Sequence, residues 1–130
     1  MNQRSKDMIN KQNAAIYTKL KDTFNLPVFQ DEVAEDERPE RLNLFLIKYG
    51  KWALGEDKRH LEQDVFVTYL VEASNTIETD VLDIIYAVSS ITLIQFVDSQ
   101  RDRGQKRDTE EFVDQINFIF KRSIKYECPV

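Results

Sequence analysis

Residues 112–126 read FVDQINFIFKRSIKY. Phe112, Ile116, Phe118, Phe120, Ile124 and Tyr126 alternate with Val113, Gln115, Asn117, Ile119, Lys121, Ser123 and Lys125, and period-two alternation of this length marks a long strand with one buried face. A strand this regular near the end of the chain has to pair with strands that precede it. The stretch therefore decides the fold. It closes residues 1–130 into a single α+β domain and leaves no flexible tail.

Working outward, residues 91–97 form the strand before it, joined to it by a charged connection, 98–111, centred on Gly104. Ile77, Val81, Ile84, Ile85 and Val88 make the apolar stripe of a helix that ends near Ser89 and Ser90. Asn75 and Glu78 have the spacing of a capping box, and Glu78 and Asp80 lie where a helix N-terminus favours negative charge. Residues 64–72 alternate as a strand, and residues 42–49 form a strand apolar on both faces. Between these two, residues 50–63 read as a long connection that carries Trp52 and His60.

Upstream, Ile9, Ile16, Leu20 and Phe24 lie on one stripe of a helix predicted over residues 5–24. Leu26-Pro27-Val28-Phe29 breaks that period and turns the chain into a sheet edge or loop, because proline fixes φ and biases its predecessor toward extended geometry. The element order is α-β-β-α-β-β. The economical packing is a mostly antiparallel sheet carrying both helices.

A chain of 130 residues is near the commonest domain size and supports one core. Its most apolar runs, 42–47 and 84–88, are far shorter than the roughly twenty residues of a membrane-spanning helix. Residues 1–13 have no apolar core or cleavage site of a secretory signal, and a lone Cys128 suits a reducing compartment. A net charge of −5 argues against general nucleic-acid binding, which draws most of its affinity from clustered Lys and Arg.

Catalytic and metal chemistry find little footing. His60 is the one histidine and sits in a charged stretch, and one His with one Cys does not make a zinc site. Gly50, Gly55 and Gly104 are isolated, so no phosphate-cradling loop can be built. Asp31, Glu32, Glu35, Asp36 and Glu37 crowd an acidic loop, 31–40, without the residue order of a calcium loop. The expectation is no enzyme, no cofactor and no metal. Arg101, Arg103, Lys106 and Arg107 form the one basic cluster, balanced by nearby acids in a way that suits either salt bridging to a protein neighbour or a hydrated hairpin, and Trp52 suits an interface anchor or burial in the domain's own core. Reversing those four cations to glutamate is expected to leave the fold intact and weaken association.

The helix running into Leu26-Pro27-Val28-Phe29, the strands 42–49 and 64–72, the helix opening at Asn75-Thr76-Ile77-Glu78, and the terminal strand through Asn117-Phe118-Ile119-Phe120-Lys121-Arg122 together resemble the small tail-completion proteins of long-tailed bacteriophages, particularly the tail terminators. The resemblance is one of size, element order and texture over most of the chain. It implies a homo-oligomeric ring, typically a hexamer, that caps the tail tube and meets a head connector or stopper protein. DNA then passes through the lumen without specific binding, and the protein resides in the virion at the tail-head junction after assembly in the host cytoplasm, with no membrane partner. The acidic segment 31–40 becomes a candidate lumen lining or solvent face, and residues 50–63 and 98–111 become candidate contacts. Other neck or minor capsid adaptors fit the same texture. Two further classes stand behind it: a small nucleic-acid-binding regulatory module using the basic cluster, and a small enzyme using carboxylates alone.

Overall fold

The computed structural model describes residues 2–31, 42–105 and 112–126. Helix α1 spans Gln3–Phe24 and ends at Asn25, whose left-handed backbone (φ 53°) lets its N–H reach the Lys21 carbonyl. Asparagine tolerates that conformation better than most residues, and Leu26 and Pro27 then prevent the helix from resuming. The chain turns directly into β1, Val28–Gln30, the sheet edge anticipated at this point.

Strand β2 is Leu44–Leu54 and β3 is His60–Glu72. After helix α2, Ile77–Ser89, come β4, Ile94–Gln105, and β5, Phe112–Lys125. The spatial order is β1-β2-β3-β5-β4. Among the described strands only β1 runs parallel to its neighbour, and every other pairing is antiparallel. The α+β class, the two helices on one mostly antiparallel sheet and the single domain are as the sequence implies, with β1 added as a fifth strand.

Strand β5 is the spine of the molecule. It pairs with β3 from Val113 to Lys125 and with β4 from Phe112 to Arg122. Its inward side chains Ile116, Phe118, Phe120 and Ile124 are at most 3% exposed. Ile116, Phe118 and Phe120 join Val65, Val67 and Tyr69 of β3, Ile16 and Leu20 of α1, and Ile84 and Val88 of α2 in one core cluster. Each large apolar side chain so buried contributes about 1.5–3 kcal/mol relative to exposure. Phe24 closes the end of this layer, with its ring centroid 5.2 Å from that of Phe45, which in turn stacks on Tyr69 at 5.0 Å.

Three expectations change. Residues 50–63 are not a long connection: β2 and β3 continue as a paired arm, and the turn between them is only Gly55 to Arg59. Residues 98–105 are strand rather than loop. The reason is common to both. Trp52, Ala53 and Leu54 in one arm and nearly all of β4 in the other are exposed, so no buried face imposes the alternation by which a strand is recognised, while backbone pairing proceeds regardless. The third concerns α2, which begins one residue later than the capping-box reading. Its N-cap is Thr76, whose carbonyl accepts from the Asp80 N–H at 2.9 Å and whose hydroxyl donates to the Asp80 carboxylate at 3.1 Å.

Candidate interface surfaces

Strand β5 turns two charged side chains into the helix-covered face, Asp114 near its start and Arg122 near its end, 1% and 2% exposed. Each is the centre of a polar cluster, and both lie at positions where apolar residues would continue the alternation.

Arg122 joins four elements. Its Nε and Nη2 donate to Gln63 Oε1 on β3 at 2.8 and 2.5 Å, and its Nη1 donates to Asn13 Oδ1 on α1 at 2.6 Å. Gln63 passes the connection on by donating from Nε2 to the Gly50 carbonyl of β2 at 2.8 Å. The guanidinium also sits 5.0 Å from the Tyr49 ring centroid and 5.2 Å from that of Trp52, where ring quadrupoles attract a cation. Its partners are amide oxygens and aromatic faces rather than carboxylates. Burial pushes the guanidinium below its ordinary pKa, opposed by the attraction of Tyr49. Burial also raises the Tyr49 phenol, and Arg122 pulls it back.

Asp114 joins three elements. Arg101 of β4 donates to Asp114 Oδ1 from Nε and Nη2, both at 3.1 Å, and Arg103 Nε donates to the same oxygen at 3.2 Å. Arg101 Nη1 reaches across to Glu78 Oε1 in the first turn of α2 at 3.0 Å. Arg103 also lies 5.0 Å from the centroid of the Phe112 ring. Arg101 and Arg103, candidate interface residues in the sequence, thus hold a buried carboxylate of their own chain while 40% and 55% of their side chains stay exposed. Lys106 and Arg107 lie outside the described residues, as do Glu32, Glu35, Asp36 and Glu37 of the acidic segment. Asp31 is described and exposed, at φ 68° immediately after β1.

Trp52, placed by sequence in a loop, is on β2 and 40% exposed, with the Arg122 guanidinium over its ring. Exposed large apolar residues also include Leu54 on β2, Phe96 and Val97 on β4, and Leu82 and Tyr86 on the outer side of α2. His60 opens β3 and its Nδ1 lies 2.6 Å from Asp57 Oδ2. Asp57 Oδ1 accepts from the Arg59 and His60 backbone N–H groups, which, with His60, hold its carboxyl below the usual range. Asp57 thus organises the turn, with the His60 ring held against it. Among the described residues no group of three or more His, Cys, Asp or Glu side chains is placed to hold a metal ion, and no helix is long and apolar enough to cross a membrane.

Arg122 and Asp114 escaped functional notice in the sequence, although a signal was present: they are the two interruptions in the apolar parity of residues 112–126. No protein-family model matches the sequence, and no curated protein does. The fold has solved counterparts, with 27 matching chains. One, from a structure titled "Virion of native gene transfer agent (GTA) particle", aligns with a TM-score of 0.53 over 87% of this chain and 93% of that one, at 13% identity. At that identity the likeness is one of fold.

Proposed function

We propose that this chain is a non-catalytic structural protein of a phage-like virion that assembles with copies of itself at the head-to-tail junction, as tail terminators do. The observation that carries the reading is the fold likeness to a chain of a gene transfer agent virion, which takes in nearly the whole of both chains. That coverage supports a likeness across most of the α+β unit rather than in one widespread motif. The resemblance of element order to tail-completion proteins supports the same assignment independently of that alignment.

In this role the two polar clusters brace the sheet, and the exposed β2–β3 arm and β4 offer contact surface. The net charge of −5 suits a channel through which DNA slides, since like charge opposes adhesion. A nucleic-acid-binding module is disfavoured by the engagement of Arg101 and Arg103 with Asp114.

Light-scattering-coupled chromatography over a range of concentrations tests the reading, with electron microscopy of any assembled species. One closed ring is expected, a hexamer on the tail-terminator reading. A chain that stays monomeric and also fails to bind purified phage tail tubes would overturn it.

A further inference from the structure

Both edges of the sheet are open among the described residues. At one, β4 pairs with β5 on its inner side and has no strand outside it. At the other, β1 pairs with Phe45, Leu46 and Ile47 of β2, and no described strand flanks β2 from Lys48 to Leu54. A long unpaired edge is a template for another strand. We infer that β4 of one copy pairs antiparallel with residues 48–54 of a second copy, head to tail, so that the sheet continues from subunit to subunit. This deepens the ring reading above and rests on it for the self-association itself.

Three observations agree on that occupant. The first is strand direction. The pairings β2 with β3, β3 with β5, and β5 with β4 are each antiparallel, so β2 and β4 run in opposite senses. A second copy set beside the first in the same orientation therefore presents β2 antiparallel to β4.

The second is register. Each of the two arms carries one extra residue relative to its inner partner, β2 between Tyr49 and Trp52 and β4 between Phe96 and Asp98. When Lys48 stands beside Asp102, one insertion in each strand brings Leu54 beside Phe96, with residues 51–53 and 97–99 out of phase between the two matched ends.

The third is the chemistry of the two faces. Leu54 and Phe96 both lie on the helix-covered face, opposite Leu61 and Phe120, and are 54% and 37% exposed in the single chain. Lys48 and Asp102 both lie on the other face, opposite Phe66 and Gln115. Neither is ion-paired among the described residues. One register thus joins apolar to apolar on one face and cation to anion on the other, as a heterologous contact requires.

Cysteine trapping tests this on the full chain, with Cys128→Ser as background. Leu54→Cys and Phe96→Cys combined in one chain, oxidised with diamide, are expected to give disulfide-linked multimers that stop at the ring size. Either substitution alone, or Tyr86→Cys with Phe96→Cys, is expected to give dimers at most. In parallel, Lys48→Asp or Asp102→Lys alone is expected to weaken association about tenfold, and the two together to restore it. Oligomers by light scattering without the 54–96 linkage would overturn the strand pairing and leave the ring standing. An open-ended covalent ladder would keep the pairing and overturn the ring. A monomer with no linkage would overturn the pairing.

Discussion

Asp114 and Arg122 occupy the same face of β5, 1% and 2% exposed, yet they do not pair with each other. Asp114 draws two arginines from β4, and Arg122 is held by two amide oxygens and two aromatic rings. Between them the strand is wholly apolar on that face, with Ile116, Phe118 and Phe120. The two charges therefore flank that apolar run and tie β5 to its surroundings at both ends.

Arg122→Ala removes the donors that satisfy Gln63 and Asn13 and opens a cavity between Tyr49 and Trp52. Loss of about 2–4 kcal/mol of stability is expected. Arg122→Met keeps most of the volume and should lose roughly half as much. Urea denaturation of both variants checks this, and an unchanged midpoint in the alanine variant would show that the cluster contributes nothing.

Arg101→Glu together with Arg103→Glu sets two carboxylates against buried Asp114. The sequence alone led to an expectation of an intact fold after charge reversal here; the geometry reverses it. The expected cost is about 2–3 kcal/mol, less than for a wholly buried pair because both guanidinium groups are partly in water. Adding Asp114→Asn should recover part of it, which a thermal-denaturation series over the three chains would detect.

Tyr69 is 3% exposed and donates its phenol to Asp80 at 3.0 Å; burial, then the bond to Asp80 and its charge, raise its pKa above the ordinary value. Tyr49 is raised as well, chiefly by burial. Above pH ~10 the unfolded chain sheds these phenolic protons and the folded chain keeps them. Stability is then full below that pH and falls as pH rises, by about 1.4 kcal/mol per unit for each phenol still protonated in the fold. Tyr69→Phe should flatten the decline in alkaline urea titrations. An identical slope in the variant would remove Tyr69 as a cause.

Lys58 holds φ 59° in the β2–β3 turn, where its N–H donates to the Gly55 carbonyl at 3.0 Å. A left-handed backbone strains a residue with a Cβ, so Lys58→Gly is expected to stabilise by about 0.5–1 kcal/mol. Gly50→Ala has the opposite sign. Its Cβ would stand 2.9 Å from Phe66 Cε2 and 3.2 Å from the Asp64 carbonyl, for an expected cost of about 1–3 kcal/mol. Differential scanning calorimetry reads both: a lowered Tm for Lys58→Gly would contradict the turn geometry, and a raised one for Gly50→Ala the close approach to Phe66.

The class of fold, both helices, the core-facing residues of β5 and the turn into the sheet edge at Leu26 and Pro27 are legible from the order of residues. Each depends on periodicity or on proline, and those signals are local. The lengths of β2 and β4 were not legible beyond the points where burial stops, because an exposed paired strand has no reason to alternate. Arg101 and Arg103 illustrate the same division. Their charges are visible in the sequence, but that they grip Asp114 follows from β4 lying beside β5 in one register. The role of Arg122 needed still more: an oxygen from α1, another from β3 and two rings from β2 converge on it from positions far apart in the chain. Local order specifies which segments can bury a face; which side chains then meet across those segments depends on pairing register, and that is set only when the whole sheet forms.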